Sequence, residues 1–421
     1  MATIRYGDIL HRLEWSVQQQ QRYRESRLRP LLAHAANKVP FYKKTFHRHG
    51  ISERDVRHLR DLSLLPLTSR ADLEGDPKAF LSEGVQRRAC ICRTNARTAE
   101  KAVELYLSSE ENELLCAIER RLVESNGLKG RYSCLAAVPP ADIPDKQSWR
   151  DRLFHGRRDG ISDAETVAEQ LRVLRERKPE CFSAPLWILT RLVREIRKGS
   201  ELGFRPTLLL TCGEPLRQVD CEALREAFGI VPTDVYRTWE FGPLAAECSQ
   251  HAGLHVNFDM VYIEILRNGR LVEPGETGEV VVTGLANRTM PLIRYRLGDL
   301  ARMKKDPCAC GWPGPVLEGV YGRIEHAIAL PGGDFVTARQ LEECLDQFSN
   351  VREYRVVQSD RRMIEVLVVP ATLFQDKTAQ LVRNKCLELC RNQIGVELKI
   401  VGDLPLLSSR RRQSIISKVP H

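Results

Sequence analysis

The chain has no long apolar run. In its 421 residues, no stretch approaches the roughly eighteen consecutive apolar residues that a membrane-spanning helix requires. Residues 1–15 mix charged side chains with apolar ones, so neither a signal peptide nor a membrane anchor is indicated. Internal repeats and low-complexity segments are also absent. We therefore expect a cytoplasmic protein that has no membrane partner.

The cysteines lack the pattern of a disulfide framework. They number 13, an odd count, and they are scattered rather than placed at framework spacings. Because disulfide scaffolds mainly serve small secreted domains, most of these cysteines are expected to be reduced core residues. The 43% apolar content supports an ordinary packed core in a chain of this length.

No recognised nucleic-acid-binding motif accompanies the positive charge of the chain. The formal net charge is +9, from 64 basic and 55 acidic residues that are spread along the sequence, with one visible cluster at residues 410–412. This excess favours anionic partners such as coenzyme A, nucleotides or an acidic acyl carrier protein. Charge without a motif does not indicate a nucleic-acid partner, and we expect none.

Strand and helix patterns alternate through the middle of the chain. Amphipathic helices and short apolar strands follow one another up to residue 212, and this alternation predicts a parallel α/β core. The helices are expected at residues 109–131, 163–175 and 186–198, and the strands at 102–107, 132–138, 181–183 and 206–211. Helices are also expected at residues 4–44 and 52–59.

The pattern changes after residue 323. Helices are expected at 338–348 and 376–393, with strands at 353–358, 363–369 and 397–401. That order predicts a small α+β unit. The expected fold class is therefore α/β, with a large N-terminal domain over residues 1–323 and a small C-terminal domain over residues 324–421.

Several motifs follow one another in the second half of the chain. Tyr236 and Glu240 lie where a strand exits into a loop, so an aromatic ring and a carboxylate share that exit. A hairpin pattern with a Pro-Gly turn spans residues 261–283. Asp299 then follows a glycine at the end of a strand-like run, and Arg323 follows a Tyr-Gly pair.

In that order, these residues resemble the adenylate-forming superfamily, and within it the phenylacetate-CoA ligase-like branch. Similar short motifs occur in that branch at residues 40–42, 61–68 and 212–215, so the resemblance covers nearly the whole chain. It implies a large N-terminal domain that binds acyl groups and nucleotide, followed by a mobile C-terminal domain, with the hinge near Arg323.

The resemblance also implies roles for single side chains. Glu240 would face Mg²⁺, Asp299 would bind the ribose hydroxyls, and Arg323 would lie near the ribose. A hard carboxylate suits Mg²⁺, and a carboxylate that accepts both ribose hydroxyls is suited to orient a nucleotide. As an alternative, Asp299 could simply be ion-paired with the neighbouring Arg294 and Arg296.

The loop that would hold the ATP phosphates departs from the family pattern. In the family this loop is rich in glycine, serine and threonine and carries a lysine that offsets the phosphate charge. Here the loop glycines become Ala96 and Ala99, and the lysine position becomes Glu100. A carboxylate repels triphosphate, so we expect that the loop no longer binds ATP productively. Arg97, or Lys101 after a one-residue slip, could still supply positive charge.

The C-terminal tail departs as well. In the family, a Gly-Lys pair lies near the C-terminus, and its lysine contacts the reacting carboxylate and the α-phosphate. Arg410 and Arg411 stand in that place, and Lys418 comes later in the chain. Arginine keeps the charge but is planar and longer, so the exchange is not conservative at a close contact. Arg411 is the residue that could substitute for the lysine.

A zinc site is predicted from Cys248, His251, Cys308 and Cys310. The Cys-x-Cys turn would meet the Cys-x-x-His pair across the intervening hairpin, and the four side chains would complete a tetrahedron. His255 competes with His251 for the fourth place. Because four protein ligands leave no open position, such a zinc would hold the hairpin and take no part in chemistry. The alternative is three ordinary buried cysteines.

The altered loop and tail favour an acyltransferase that needs no ATP. It would move an acyl group, expected to be aromatic, from a thioester to coenzyme A or to a carrier-protein thiol. The turn of Cys212, Gly213 and Glu214 ends a strand, where open α/β sheets bind ligands, and the resemblance implies that it borders the acyl pocket. The Cys212–Gly213 turn and the Tyr236 loop would stabilise the oxyanion. A covalent route through Cys212 is a weaker possibility.

Two alternatives stay open at this point. One is the ordinary family reaction, ATP-dependent adenylation of an aryl or related acid followed by thioester formation with coenzyme A, in which Arg97, Lys101 and Arg411 act as substitutes. The other is a non-catalytic protein that binds an acyl ligand or a partner. Pyrophosphate release that depends on ATP would distinguish the first alternative from acyl transfer.

Overall fold

The computed structural model of the protein describes residues 6–85, 90–93, 103–139, 158–404 and 414–419. Helices α1 to α10 of this part of the chain are, in order, Tyr6–His11, Val17–Lys38, Pro40–His49, Arg70–Gly75, Ser109–Ser125, Val167–Arg177, Leu186–Arg197, Gln218–Phe228, Ala338–Leu345 and Asp376–Leu389. Short 3-10 helices lie at Arg12–Glu14, Glu53–Asp55, Leu59–Leu64, Pro77–Phe80, Ile324–His326 and Pro331–Gly333. None of the described helices has the length and apolar character needed to cross a membrane.

Strands β1 to β20 connect and flank these helices. They are, in order, Cys90–Arg93, Glu104–Leu107, Cys134–Val138, Arg158–Ser162, Cys181–Pro185, Leu208–Cys212, Thr233–Thr238, Gly242–Glu247, Leu254–Val256, Val261–Arg267, Arg270–Leu271, Thr277–Gly284, Tyr295–Met303, Val316–Arg323, Ile328–Ala329, Phe335–Val336, Val351–Asp360, Met363–Pro370, Gly395–Ile400 and Ile415–Ser417.

One large mixed sheet dominates the described fold. Its strand order is β11-β10-β12-β13-β14-β9-β8-β7-β6-β5-β3-β4. Strands β4, β3, β5, β6 and β7 are parallel to one another. All the other pairings of this sheet, from β7–β8 at its middle to β10–β11 at its edge, are antiparallel. The predicted α/β class is confirmed, and the parallel core forms one half of this sheet.

Helix α7 shows why the parallel half is covered by helices. Its buried residues recur at helical spacing, at Leu186, Ile188, Leu189, Leu192 and Val193, so one face is apolar and packs against the sheet. The same cluster includes apolar residues of β5, β6 and α8. This packing holds the carboxyl ends of β5, β6 and β7 at one edge of the sheet.

The antiparallel half is anchored to the N-terminal helices by a buried ion network. Arg121 on α5 donates to both carboxylate oxygens of Asp259, each at 2.9 Å, and to Asn257 at 2.9 Å. Arg12 reaches the same carboxylate at 3.0 Å. Burial raises the pKa of Asp259, but the two guanidinium groups outweigh it and hold the pKa below its usual value. The paired charges therefore remain ionised inside the fold.

A second sheet follows the large one in the chain. Its order is β19-β18-β17-β20, with β17 and β18 antiparallel and the outer strands parallel to their neighbours. Helices α9 and α10 supply apolar residues to its own core. Arg217, which precedes α8, contacts Asp346 after α9 at 3.0 Å. The predicted domain division at residue 323 stays a prediction.

The helix expected over 4–44 is divided into Tyr6–His11, Val17–Lys38 and Pro40–His49, because Ser16 caps a new helix and Val39 is extended. Pro40 begins a helix here and does not end one. Two other expected helices also differ from the observed ones. The helix expected over 109–131 ends at Ser125, because Gly127 takes a φ of +97° and turns the chain back toward the core. The short helix expected over 52–59 is replaced by the 3-10 helices Glu53–Asp55 and Leu59–Leu64. In both places the apolar spacing is right, and a local cap or turn decides the boundary.

Candidate functional site

The candidate site lies at the carboxyl end of β7. Strand β7 ends at Thr238 and β8 begins at Gly242, so the three residues between them form a tight turn. Gly242 has a φ of +71°, and a Cβ at this position would collide with the Leu115 side chain. The positive φ at the end of this turn favours glycine, because other residues rarely adopt it.

Tyr236 and Asp299 lie side by side at this edge of the sheet. The Tyr236 hydroxyl donates to Asp299 Oδ2 at 2.7 Å, and Arg323 Nη1 lies 3.5 Å from Asp299 Oδ1. Arg323 also donates to the Leu297 carbonyl at 2.6 Å, which holds the guanidinium in place. Burial raises the pKa of Asp299, while Arg323 opposes that shift. The three predicted residues are thus brought together from three strands.

The two arginines nearest to Asp299 in sequence are not its partners. Arg294 forms a buried pair with Glu264 at 3.0 Å, and Arg296 pairs with Glu279 at 2.8 Å. Both guanidinium groups therefore pair with glutamates of the large sheet. The alternative in which they neutralise Asp299 is therefore wrong, and the charged partner of Asp299 in the described structure is Arg323.

Glu240 is bound to an arginine that the sequence did not single out. Arg70, the first residue of α4, donates from Nη1 to Glu240 Oε1 at 3.1 Å and from Nε to Glu74 at 2.8 Å. The Tyr295 hydroxyl approaches the same Glu240 oxygen at 3.4 Å. Arg70 directly follows the motif of residues 61–68, so an extension of that motif by two residues would have included it.

The turn after β6 places Cys212, Gly213 and Glu214 at the same edge of the sheet. Strand β6 ends at Cys212, and Gly213 turns the chain with a φ of +84°. Burial raises the pKa of the Cys212 thiol, and Arg237 opposes this only in part. A thiol with a raised pKa is a poor nucleophile at neutral pH, so the geometry does not favour a covalent route through Cys212.

A second cluster unites three thiols with one imidazole. Candidate ligand atoms of Cys248, His255, Cys308 and Cys310 all lie within 4.8 Å of one another. Cys248 follows β8, His255 lies in β9, and the other two belong to the loop between β13 and β14. Strand pairing of β8, β9 and β14 therefore assembles the cluster from distant parts of the sequence.

Two distances within the cluster are those expected around a tetrahedral zinc ion. The Cys248 and Cys308 sulfurs are 3.8 Å apart, and Cys310 Sγ is 3.5 Å from His255 Nε2. With Zn–S near 2.3 Å and Zn–N near 2.0 Å, the edges of a tetrahedron are about 3.8 Å and about 3.5 Å. The residues present thus match a structural Cys₃His site.

His255 has the environment of a metal ligand. It is 2% exposed, stacks on Trp312 at a centroid distance of 4.4 Å, and its Nδ1 has no hydrogen-bond partner in the described structure. Burial, followed by the charge of Lys304, lowers the pKa of His255 to about 4. The ring is therefore neutral at pH 7, the form that binds a metal.

His251 is not the fourth residue of the cluster. It lies on an exposed turn with a φ of +46°, and its Nδ1 is 2.9 Å from Glu247 Oε2. The sequence predicted His251 as the fourth ligand, with His255 as its competitor. That prediction is corrected, because the residue in the cluster is His255. Sequence spacing alone placed both histidines near Cys248, and the pairing of β9 with β14 brings only His255 to the loop cysteines.

Three predicted residues cannot be placed. Arg97 and Lys101 of the phosphate loop and Arg411 of the tail lie outside the described residues. Their predicted roles stay predictions.

A buried carboxyl near the site predicts a pH-dependent stability. Burial, followed by the charge of Glu247, raises the pKa of Asp234 to about 7, against about 3.9 in an unfolded chain. The folded state then binds more protons between pH 4 and 7, so the unfolding free energy falls as pH rises through that window. A shift of about three pKa units corresponds to about 4 kcal/mol, so we expect Asp234→Asn to raise the unfolding free energy by up to about 4 kcal/mol at pH 8 and by little at pH 4.

Denaturant unfolding of both proteins at pH 4 and pH 8 measures this effect. Asp360→Asn, at the exposed carboxyl of the last residue of β17, is the control. Equal differences between Asp234→Asn and the unsubstituted protein at the two pH values would contradict the expected linkage.

The fold defines a class of protein. In structure, the chain is similar to a 2-hydroxyisobutyryl-CoA ligase solved in complex with 2-HIB-AMP and CoA, with a TM-score of 0.77, 18% identity, and coverage of 94% of this chain and 92% of that one. The chain has the fold of the adenylate-forming superfamily, as its motifs predict.

In sequence, the chain is similar to phenylacetate-coenzyme A ligases. It is 23% identical to the Thermus thermophilus protein over 330 residues, which are 73% of this chain and 71% of the relative. It is 24% identical to the Escherichia coli K12 protein over 373 residues, 82% and 80% of the two chains. No protein-family model matches the chain. The predicted resemblance to the phenylacetate-CoA ligase-like branch is confirmed.

Proposed function

We propose that the protein is a carboxylate–CoA ligase that forms an acyl-adenylate from ATP and an aromatic or related acid. One observation carries this proposal. Tyr236, Glu240, Asp299 and Arg323 meet at the carboxyl end of β7, where the resemblance assigns nucleotide binding. The sequence relatives are phenylacetate-coenzyme A ligases, and the structural relative was solved with an acyl-AMP and CoA.

The proposed reaction has two steps. A carboxylate oxygen of the acid attacks the α-phosphorus of ATP, a P–O bond breaks, and pyrophosphate leaves with its bonding electrons. The thiolate of coenzyme A then attacks the acyl carbon, and AMP leaves. Asp299 would accept the ribose hydroxyls, Arg323 would hold Asp299, and the turn at Gly213 and Glu214 would border the acyl group.

Pyrophosphate release tests the proposal. The purified protein would be incubated with ATP, Mg²⁺, coenzyme A and a panel of acids that includes phenylacetate, benzoates and short hydroxy acids. We expect acid-dependent pyrophosphate and AMP, together with the matching acyl-CoA by mass spectrometry. A folded protein that releases no pyrophosphate with any acid, and shows no exchange of labelled pyrophosphate into ATP, would refute the ligase.

A second candidate is the acyl transfer without ATP that the sequence predicts. Ala96, Ala99 and Glu100 in the phosphate loop and Arg411 in the tail favour it, because these changes weaken the two elements that handle ATP. The relatives support the ligase more strongly. Transfer of an acyl group from acyl-CoA to a carrier-protein thiol in the absence of ATP would identify the transferase. Ligand binding without either reaction would indicate a non-catalytic protein.

We further propose that the cluster of Cys248, His255, Cys308 and Cys310 binds a structural zinc ion. The sulfur-to-sulfur and sulfur-to-nitrogen distances support this, as does the neutral, buried imidazole. All four ligands come from the protein, so a bound zinc would present no open position to a substrate. Its contribution would be to join β8, β9 and the loop before β14.

A further inference from the structure

Arg70 is a cation built into the candidate site. Its Nη1 lies 3.1 Å from Glu240 Oε1, and its Nε lies 2.8 Å from Glu74. The side chains of Arg70 and Glu240 are 21% and 11% exposed, so the pair lies at a partly covered surface. Tyr295, which is buried, donates toward the same Glu240 oxygen. The carboxylate that the resemblance assigns to Mg²⁺ therefore already has a cationic partner.

The backbone holds Arg70 at this place. Thr68 N donates to the Arg294 carbonyl at 2.9 Å, and Arg296 N donates to the Thr68 carbonyl at 2.8 Å. The Thr68 hydroxyl adds a bond of 2.8 Å to Ile293. These contacts fasten the start of α4 to the start of β13. Arg70 is thus presented by two rigid elements, and its guanidinium is oriented before any ligand arrives.

Two cations compete for one oxygen of Glu240. A Mg²⁺ ion bound to Oε1 would lie about 2.1 Å from that oxygen, and the guanidinium nitrogen is close to the same atom. The charges repel, so Mg²⁺ at this oxygen would displace Arg70. A planar guanidinium presents several N–H donors in a fixed geometry that suits phosphate oxygens. Arg70 already donates to Glu74 and to Glu240, and its guanidinium carries several N–H donors with which it can also contact an anion.

We propose that Arg70 binds the α-phosphate of the nucleotide, and that Glu240 orients Arg70 rather than binding a metal directly. This inference rests on the proposed function, because it concerns the same nucleotide site. Asp299 would bind the ribose. Arg70, which lies beside Glu240, would bind the adjacent phosphate. Binding of a nucleotide monophosphate then requires no divalent cation.

Calorimetric titration of AMP into the full chain tests the inference, once in EDTA and once with excess Mg²⁺. We expect the unsubstituted protein to bind AMP equally well in both buffers. Arg70→Gln should weaken binding in EDTA by about tenfold or more, because a charged hydrogen bond to phosphate is lost. Arg70→Lys should keep part of the affinity, since it retains the charge without the planar donor set.

The recovery of binding by Mg²⁺ distinguishes phosphate binding from a merely structural role. In Arg70→Gln the Glu240 carboxylate has lost this arginine partner and can bind Mg²⁺. We therefore expect this variant to bind AMP at least about threefold more tightly with Mg²⁺ than in EDTA. Arg48→Gln, at an exposed arginine of α3, is the matched control and should bind AMP normally. Melting temperatures of all variants check that they fold.

The outcomes separate this inference from the proposed function. If Arg70→Gln binds AMP as tightly as the unsubstituted protein does, while Asp299→Asn loses binding, the role of Arg70 is refuted and the nucleotide site stands. A strict Mg²⁺ requirement for AMP binding in the unsubstituted protein would also refute it. If the folded, unsubstituted protein binds no AMP in either buffer, both proposals fail.

Discussion

Asp299→Asn is expected to lower the affinity for ATP by about 100-fold or more, about 2.7 kcal/mol. Asp299 is held by Tyr236 and Arg323 at an edge of the sheet, and in the proposed function its carboxylate would accept both ribose hydroxyls. An amide carries no negative charge and offers one acceptor in place of two. A hydrogen bond to a charged group contributes about 1.5–3 kcal/mol, so losing two such bonds accounts for the size of the effect. Calorimetric titration with ATP and Mg²⁺ measures it.

Tyr236→Phe is the matched control for that substitution. It removes the hydroxyl that donates to Asp299 and leaves the carboxylate in place. We expect a loss of affinity of only about threefold to tenfold, because one neutral donor is removed. If Asp299→Asn bound ATP as tightly as the unsubstituted protein, Asp299 would have no role in ribose binding. Equal losses in the two variants would show that ATP affinity depends on the hydrogen bond between Tyr236 and Asp299 and not on the carboxylate itself.

Cys308→Ser is expected to remove one equivalent of zinc and to lower the melting temperature by about 10 °C. Cys308 is buried, and its Sγ lies 3.8 Å from Cys248 Sγ, where the end of β8 meets the loop before β14. Loss of a structural metal is among the few single changes that cost about 4 kcal/mol or more. A change of 1 kcal/mol corresponds to roughly 2–4 °C in a folded unit of about 150–250 residues and to somewhat less in a larger one. Elemental analysis and thermal unfolding measure the two effects.

Two controls test whether the effect belongs to the cluster. Cys116→Ser changes an exposed thiol on α5, and His251→Ala changes the histidine that the structure places outside the cluster. Both variants should keep the zinc and the melting temperature. His255→Ala should behave like Cys308→Ser. Zinc retained in His255→Ala but lost in His251→Ala would reverse the ligand assignment, and an unsubstituted protein without zinc would refute the metal site.

Local patterns were enough to predict many of the longer helices and strands, but not helix α8 or several of the short strands. The spacing of Leu186, Leu189 and Val193 marks the apolar face of α7 without knowledge of its neighbours. Helix boundaries were less certain, because a single glycine such as Gly127 ends α5 several residues earlier than the apolar pattern suggests. Motif order was sufficient for the resemblance to adenylate-forming enzymes, since it depends on residue types and their sequence.

The partners of charged side chains could not be derived in the same way. Arg294 and Arg296 are the closest arginines to Asp299 in sequence, yet both bond to glutamates within the sheet. Arg70 is 170 residues away from Glu240 and is its direct partner. Which charges meet depends on strand register and on helix placement, and long-range contacts of this kind leave no local pattern.

The sequence by itself determined the class of fold, the motif order and the set of side chains that can carry chemistry, because these follow from local spacing and residue type. The tertiary structure alone decided which members of that set meet. It selected His255 over His251 by pairing β9 with β14, and it brought Arg70 to Glu240 by fastening Thr68 to the start of β13. The physical reason is that a site forms only where strand pairing and core packing hold distant segments together.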